Sequence, residues 1–345
     1  MVKYIVAIVL FSVVILFHEL GHFLLAKLNG IRVNEFCLGF GPTLIGFTKG
    51  ETTYSIKLLP FGGACMMEGE DGDSADERSF QKKSVWARIS VVAAGPIFNF
   101  ILAFFFSVII IGSAGITEPV VADVMEGYAA EEAGLQSGDV IIKMNHKRIH
   151  FYKEVSLYST FHPGEDVVIT YERDGVRYTA ELTPTYDEDS GRYLYGIYSS
   201  GTYTKYGPVK TLYYGACEVK YWIQYTLKSL EMLVTGQVSV NDLSGPVGIV
   251  QTIGETYEES LTYGWYYVFL NMLVLGILLS ANLGVMNLLP FPALDGGRLV
   301  FLFLEVIRRK RVKPEREGMV HLVGMLCLFA LMFVVMANDI RKLIV

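Results

Sequence analysis

The sequence predicts an α-helical, polytopic membrane protein of about four transmembrane helices, with a β-rich domain inserted between the second and the third. Of its 345 residues, 52% are hydrophobic and only 19% are charged, whereas roughly 25% of residues in soluble domains are charged. Four apolar segments reach the ~20 residues that a helix needs to cross a bilayer. They are Tyr4–Leu28, Ile89–Gly112, Trp265–Leu289 and Met319–Ala337.

The composition argues against other classes of protein. The net charge of −6 argues against a protein that binds nucleic acid. The four cysteines are scattered, so we expect neither a disulfide framework nor a cysteine-based zinc site. Lys3 and the apolar run after it resemble a signal peptide, but no A-x-A-like cleavage site follows, and we expect the segment to be retained.

Basic residues predict the orientation of the spans, because cytoplasmic loops carry an excess of Lys and Arg. One basic set lies between the first two spans: Arg32, Lys49, Lys57, Arg78, Lys82, Lys83 and Arg88. The other lies between the last two: Arg308, Arg309, Lys310, Arg311, Lys313 and Arg316. With four spans both sets fall on one face, which we expect to be cytoplasmic. Residues 113–264 are then extracytoplasmic.

The start of that outer stretch has the pattern of a small β domain. Val120–Val124 and Val140–Met144 are predicted strands, and the turn dipeptide Asp174-Gly175 joins Val167–Tyr171 to Arg177–Leu182 as a hairpin. The segment from Gly127 to Asp139, with its G-L-Q-S-G-D turn, resembles the PDZ pattern over about residues 116–186. PDZ domains bind extended peptides by strand addition. The alternative is a β-rich packing domain that binds nothing.

We expect four regions in the chain. Residues 1–112 contain the first two spans with a cytoplasmic or membrane-inserted loop, and residues 113–190 form the PDZ-like domain. Residues 191–264 mix aromatic residues with lysines, which is typical of a helix at a membrane interface or of an amphipathic helix packed on protein. Residues 265–345 contain the last two spans. The acidic run Glu68–Glu77 indicates a solvated loop rather than a calcium site.

The most specific chemical signal is His18-Glu19-Leu20-Gly21-His22, inside the first apolar segment. His18 and His22 are four residues apart, so a helix places both imidazoles on one face. Two such imidazoles can hold one zinc ion, and Glu19 between them can serve as general base toward water. Ionisable residues are costly within a membrane span and indicate function there.

A catalytic zinc site needs a third protein ligand, and the best candidate is distant in the sequence. The third span ends in Asn287-Leu-Leu-Pro-Phe-Pro-Ala-Leu-Asp-Gly-Gly-Arg298, whose prolines and glycines must interrupt a helix. Irregular backbone at membrane depth is tolerated only where it is buried in protein or lines a cavity. Asp295 at this break is the candidate oxygen ligand. The alternative is an aspartate that caps the helix carrying Leu299–Ile307.

Together these motifs resemble the site-2 protease family of intramembrane zinc metalloproteases. The resemblance is greatest to bacterial regulator-of-sigma members, which carry an extracytoplasmic PDZ domain and cleave anti-sigma factors. Other matching segments are Gly39-Phe-Gly-Pro42, Pro60-Phe-Gly-Gly63, Ala94-Gly-Pro96 with Asn99, and Leu243-Ser-Gly-Pro-Val-Gly248. One departure is that a single PDZ-like unit is visible, whereas some relatives carry two.

The resemblance implies a role for each matching residue. His18, His22 and Asp295 match the zinc ligands, and Glu19 matches the catalytic glutamate. Asn287 matches an asparagine that holds the substrate backbone or the oxyanion, with a helix-interface amide as the alternative. A further pair, Gly62 and Gly63, matches a membrane-inserted loop that contacts substrate. Close helix packing is implied for Gly95, Pro96 and Asn99.

The function expected from the resemblance is zinc-dependent hydrolysis of peptide bonds within transmembrane segments of single-pass proteins, in regulated intramembrane proteolysis. Its partners would be substrates such as anti-sigma factors and the lipid bilayer of the bacterial cytoplasmic membrane, with no nucleic acid. One alternative is a catalytically silent peptide-binding scaffold, which would lack a ligand or the base. Another is a metal transporter, which would show internal repeats or several broken spans.

Overall fold

The computed structural model describes residues 2–70, 72, 74–238, 244–312 and 314–344. The α-helices described are, in chain order, α1 (Val2–Leu28), α2 (Val85–Ala114), α3 (Ala129–Glu132), α4 (Tyr152–Phe161), α5 (Pro208–Val234), α6 (Pro246–Tyr263), α7 (Trp265–Leu288), α8 (Asp295–Arg308) and α9 (Pro314–Ile344).

The strands described are, in chain order, β1 (Val33–Lys49), β2 (Thr52–Met67), β3 (Ile116–Thr117), β4 (Val121–Val124), β5 (Val140–Met144), β6 (Lys147–Arg148), β7 (Val167–Arg173), β8 (Val176–Leu182), β9 (Thr185–Asp187), β10 (Arg192–Leu194), β11 (Ile197–Ser199) and β12 (Tyr203–Thr204). Of the residues named above, Asp71, Asp73, Leu243 and Lys313 lie outside the described residues, and of Pro60 and Phe61 only the backbone is described.

Four of the described helices are long and apolar enough to cross a membrane, as predicted. They cover Val2–Leu28, Val85–Ala114, Trp265–Leu288 and Arg316–Lys342. The helices α5 and α6 fall in the aromatic and lysine-rich region, where the sequence left a membrane interface and a protein surface as alternatives. The choice between them stays a prediction.

The chain forms two compact units, Met1–Phe106 with Ser229–Val345, and Ser107–Lys228. In the first, β1 and β2 form a long antiparallel hairpin with several register shifts. A buried cluster joins the end of α1, the hairpin, the start of α2 and α8, through residues that include Ala26, Val33, Val91 and Leu299. This cluster matters for the site, because Ala26 lies one turn after His22 and Leu299 one turn after Asp295.

The second unit is built on a four-stranded antiparallel sheet of order β6-β5-β7-β8. Asp174 and Gly175 link β7 to β8 with φ of 52° and 78°, the left-handed conformations that a tight hairpin turn requires. Asp139, from the predicted G-D turn, is buried and forms a two-point ion pair with Arg173. The predicted hairpin is therefore confirmed, and so is a β-rich region between the second and third predicted spans. Strand pairing continues beyond residue 190, since β11 pairs with β4 and β12 with β3.

Candidate metal centre

The structure brings His18, His22 and Asp295 together, and each offers one ligand atom within 4.8 Å of the others. The Nε2 atoms of the two histidines are 3.2 Å apart. One carboxylate oxygen of Asp295, Oδ2, lies 3.2 Å from Nε2 of His18 and 3.4 Å from Nε2 of His22. Both imidazoles are buried, and the Asp295 side chain is 17% exposed. Residues 273 positions apart in the chain thus form one cluster of donor atoms.

The local sequence explains how each donor is placed. His18 and His22 project from the same face of α1 because they are separated by one helical turn. The prolines after α7 prevent the helix from continuing, and the chain turns through Ala293 before α8 begins at Asp295. Leu294, not Asp295, occupies the N-cap of α8, and its side chain makes no capping hydrogen bond. The capping alternative for Asp295 therefore has no support in the geometry, and its carboxylate faces the imidazoles.

The donor set fits a catalytic zinc ion. Two imidazole nitrogens and one carboxylate oxygen are a typical three-ligand set that leaves one position open. Donors about 2.0–2.1 Å from a tetrahedral zinc are about 3.3 Å from one another, and the three separations observed here are 3.2, 3.2 and 3.4 Å. Within the described residues, the buried Oδ2 of Asp295 makes no hydrogen bond of acceptable geometry. A cation at this point would pair that oxygen.

Helix α2 contacts both imidazoles from behind. Nδ1 of His22 is 2.9 Å from the carbonyl oxygen of Val91. A carbonyl only accepts hydrogen bonds, so Nδ1 of His22 carries the proton and Nε2 is free to bind a metal. Nδ1 of His18 is 3.1 Å from the side-chain amide of Asn99, which is fully buried. A β-carbon on Gly95 would lie 2.6 Å from Cε1 of His22 and 2.7 Å from Cε1 of His18.

These contacts extend the site beyond the residues that the sequence singled out for chemistry. The resemblance implies only helix packing for Gly95 and Asn99, yet both lie directly against the proposed ligands. In the sequence these two residues belong to the motif Ala94-Gly-Pro96 with Asn99, whose spacing is not that of a metal-ligand motif.

Glu19 lies where β2 passes α1. Its side chain is half-buried, and a β-carbon on Gly63 would be 3.0 Å from its Cγ. The strand therefore approaches the helix beside Glu19 only because residue 63 has no side chain. Gly62 has a φ of 100°, a conformation that other residues rarely adopt.

Asn287 is half-buried in the last turn of α7, and it makes no side-chain hydrogen bond in the part of the chain that the structure describes.

Comparison with known proteins identifies the family. The model of Peptidase family M50 matches residues 6–331. A protein of Clostridium acetobutylicum is 39% identical over 337 residues, covering 97% of this chain and 96% of that protein. Zinc metalloprotease RasP of Bacillus licheniformis is 33% identical over 423 residues, covering 97% of this chain and 98% of RasP. Regulator of sigma-W protease RasP of Bacillus subtilis is 31% identical over 419 residues, covering 97% of each chain.

The matches also include solved structures. The PDZ domain of the SdrC-like protein from Listeria monocytogenes covers 25% of this chain and 88% of its own, at 22% identity and a TM-score of 0.22. At that score the likeness adds nothing to the strand order described above. The family match, which extends over nearly the whole chain, is decisive. The chain belongs to Peptidase family M50, the site-2 proteases, and is a zinc-dependent metalloendopeptidase of the membrane.

Proposed function

We propose that His18, His22 and Asp295 hold the zinc ion and that Glu19 is the general base of an intramembrane endopeptidase. The observation that carries this proposal is the set of three donor separations of 3.2, 3.2 and 3.4 Å, which match the edges of a zinc tetrahedron. Glu19 is adjacent to His18 in the chain, and its side chain turns toward β2 rather than into the donor cluster. It is therefore available for proton transfer.

The chemistry follows from these positions. When bound, zinc lowers the pKa of water toward 7 and polarises the scissile carbonyl. Glu19 accepts the proton of the attacking water and later delivers it to the leaving amine. Asn287, whose amide has no partner among the described residues, is available to hold the substrate backbone or the developing oxyanion. Fixed donors of this kind stabilise charge that develops only in the transition state.

The substrates proposed are transmembrane segments of single-pass proteins. A cavity of about 600 Å³ between α1, β2 and α6 is lined mainly by apolar side chains, among them Phe11, Ile15 and Val250. Ile15 lies one turn before Glu19, so the cavity includes a residue one helical turn from the proposed base. A transmembrane helix hides its carbonyls in hydrogen bonds and must unwind locally before hydrolysis. Gly62 also lines this cavity, where an extended substrate beside β2 would keep its backbone groups paired.

The relatives suggest the biological setting. The name of the Bacillus subtilis relative, regulator of sigma-W protease, supports an anti-sigma factor as the substrate class and regulated intramembrane proteolysis in a bacterial cytoplasmic membrane. We place the two basic loops in the cytoplasm and residues 113–190 outside, as a PDZ-like domain followed by an interfacial region up to residue 264. These assignments rest on the charge distribution of the loops.

The test uses the purified full-length chain in detergent, with a single-pass peptide containing a glycine-rich apolar segment. The wild type is expected to carry about one zinc per chain and to cut inside that segment. Glu19→Gln is expected to keep its zinc while cleavage falls by a factor on the order of 10² or more. Glu259→Gln, an exposed acid on α6, is the matched control and should cut normally. A folded Glu19→Gln protein without zinc, or with full activity, would contradict the role of Glu19.

A further inference from the structure

We propose that Asn99 is a positioning residue for the metal centre. Its amide oxygen accepts a hydrogen bond from Nδ1–H of His18 and thereby fixes the tautomer whose Nε2 can bind zinc. The proposal rests on the ligand set proposed above and adds a residue that acts through one of those ligands.

The buried surroundings of Asn99 provide the first step. Its side chain is fully buried on α2, and in the structure its amide nitrogen, Nδ2, lies 3.1 Å from Nδ1 of His18. Its Oδ1 has no hydrogen-bond partner within the described residues. The oxygen and nitrogen of an asparagine amide exchange places by a half-turn about the Cβ–Cγ bond. That half-turn brings Oδ1, which has no donor, against the His18 ring nitrogen.

The protonation state of a metal-binding imidazole requires this orientation of the Asn99 amide. Nε2 of His18 is the atom that faces Asp295 and His22, so it must be unprotonated when it binds a metal. The proton of a neutral imidazole then lies on Nδ1 and needs an acceptor. If the amide nitrogen of Asn99 faced Nδ1 instead, the His18 proton would lie on Nε2 and would block the metal. The Asn99 oxygen is therefore the group that decides between the two tautomers.

The neighbouring histidine shows the same design with a different acceptor. Nδ1 of His22 donates to the carbonyl of Val91, two turns before Asn99 on the same helix. Helix α2 thus supplies one acceptor for each histidine, and the missing side chain of Gly95 between them lets α2 lie close to both rings. The backbone oxygen of Asn99 also accepts a hydrogen bond from Ser280 of α7, at 2.8 Å. The backbone at Asn99 is therefore held by α7 as well as by its own helix.

The experiment compares zinc affinity in purified, detergent-solubilised variants by chelator competition at neutral pH. Asn99→Leu keeps the approximate shape of the side chain but removes the acceptor, and its zinc dissociation constant is expected to rise roughly 10–100-fold. Asn99→Asp keeps an oxygen acceptor and is expected to bind zinc as tightly as the wild type or more tightly. Ser280→Ala removes the contact with the Asn99 backbone but leaves its amide, and should change the constant by no more than about two-fold.

Cobalt substitution gives a second readout besides affinity. The visible absorption of bound cobalt reports ligand geometry, and it should change in Asn99→Leu but not in Asn99→Asp. Folded Asn99→Leu protein with wild-type zinc affinity would overturn the proposal. So would equal losses in Asn99→Leu and Asn99→Asp, because a packing role does not distinguish them. Zinc bound by His22→Ala as tightly as by the wild type would overturn the ligand set itself, which is a separate failure.

Discussion

The imidazole of His321 on α9 accepts a hydrogen bond from the backbone N–H of Ala293, with 2.8 Å between the two nitrogen atoms. Ala293 has a φ of 80°, a left-handed conformation that costs a residue with a side chain about 1–2 kcal/mol. One turn along α9, a β-carbon on Gly324 would lie 2.5 Å from the carbonyl oxygen of Pro292. Helix α9 therefore supports, from outside the metal site, the loop that delivers Asp295.

Removing the His321 acceptor should loosen that loop. A neutral hydrogen bond contributes about 1 kcal/mol, so His321→Leu is expected to weaken zinc binding by up to about tenfold. His321→Asn keeps an acceptor near the same position and should retain more of the affinity. Chelator competition on folded protein measures both. Identical zinc affinities in wild type and His321→Leu would mean that the loop holds its conformation without α9.

Asp295→Asn tests the third ligand. A neutral amide oxygen is a poorer zinc ligand than a carboxylate, so zinc affinity should fall by more than tenfold and cleavage should fall with it. As a residue in the first turn of α8, Asp295 also interacts favourably with the helix dipole, by about 0.3–1 kcal/mol. If the variant lost only that much stability and kept its zinc, the side chain would serve the helix and not the metal.

Gly95→Ala tests whether the missing side chain of residue 95 leaves necessary space for the imidazoles or only lowers the helix propensity of α2. Alanine in a helix is normally favoured over glycine by about 0.8–1 kcal/mol, yet here its β-carbon would fall 2.6 Å from a carbon of His22. The substitution should displace a ring or α2 and reduce both zinc content and activity. Gly112→Ala on the same helix is the matched control, because its β-carbon would come no closer than 3.7 Å to the Thr211 side chain. Equal zinc content and activity in the two variants would show that the space beside His22 does not limit zinc binding.

The sequence predicts the proposed ligands but not the residues that surround them, for a physical reason. The spacing of His18 and His22 and the prolines before Asp295 act locally, through helix geometry and backbone restriction. Asn99 reaches His18 only through the packing of α2 on α1, and α2 is apolar around most of its circumference, so no hydrophobic face indicates which side it turns inward.

The β1–β2 hairpin could not be predicted from the sequence either. Glycines and prolines such as those at Gly39, Gly41, Pro42 and Pro60 argue against strand interiors, and the sequence predicts only a cytoplasmic or membrane-inserted loop there. The structure forms paired strands of 17 and 16 residues, and register shifts accommodate the glycines. Short elements of the second unit, such as α4 and β9 to β12, had too few residues to show a period.

The second unit should lose stability in acid through Glu154. Burial opposes ionisation of this carboxylate, but hydrogen bonds from His150 and from the Phe151 N–H hold its pKa below the ordinary glutamate value. A depressed folded pKa means that the stabilisation is present above the ordinary value and is lost as pH falls through the folded one. Hydrogen-exchange protection factors across α4 in the full-length chain, which correct for the intrinsic effect of pH on exchange, should therefore fall below about pH 4. In Glu154→Gln they should already be lower at neutral pH and should depend less on acid.

The orientation of the chain can be tested with single cysteines introduced into a background without the four native ones. Lys310 and Asp189 are both exposed, the first after α8 and the second in a turn of the second unit. Because basic loops remain in the cytoplasm, Lys310→Cys should react with an impermeant maleimide only after the cells are permeabilised. Asp189→Cys should react in intact cells. Activity of each variant shows that the chain has assembled. Labelling of position 310 in intact cells would mean that the basic loop after α8 lies outside, and that the positive-inside assignment of this chain is wrong.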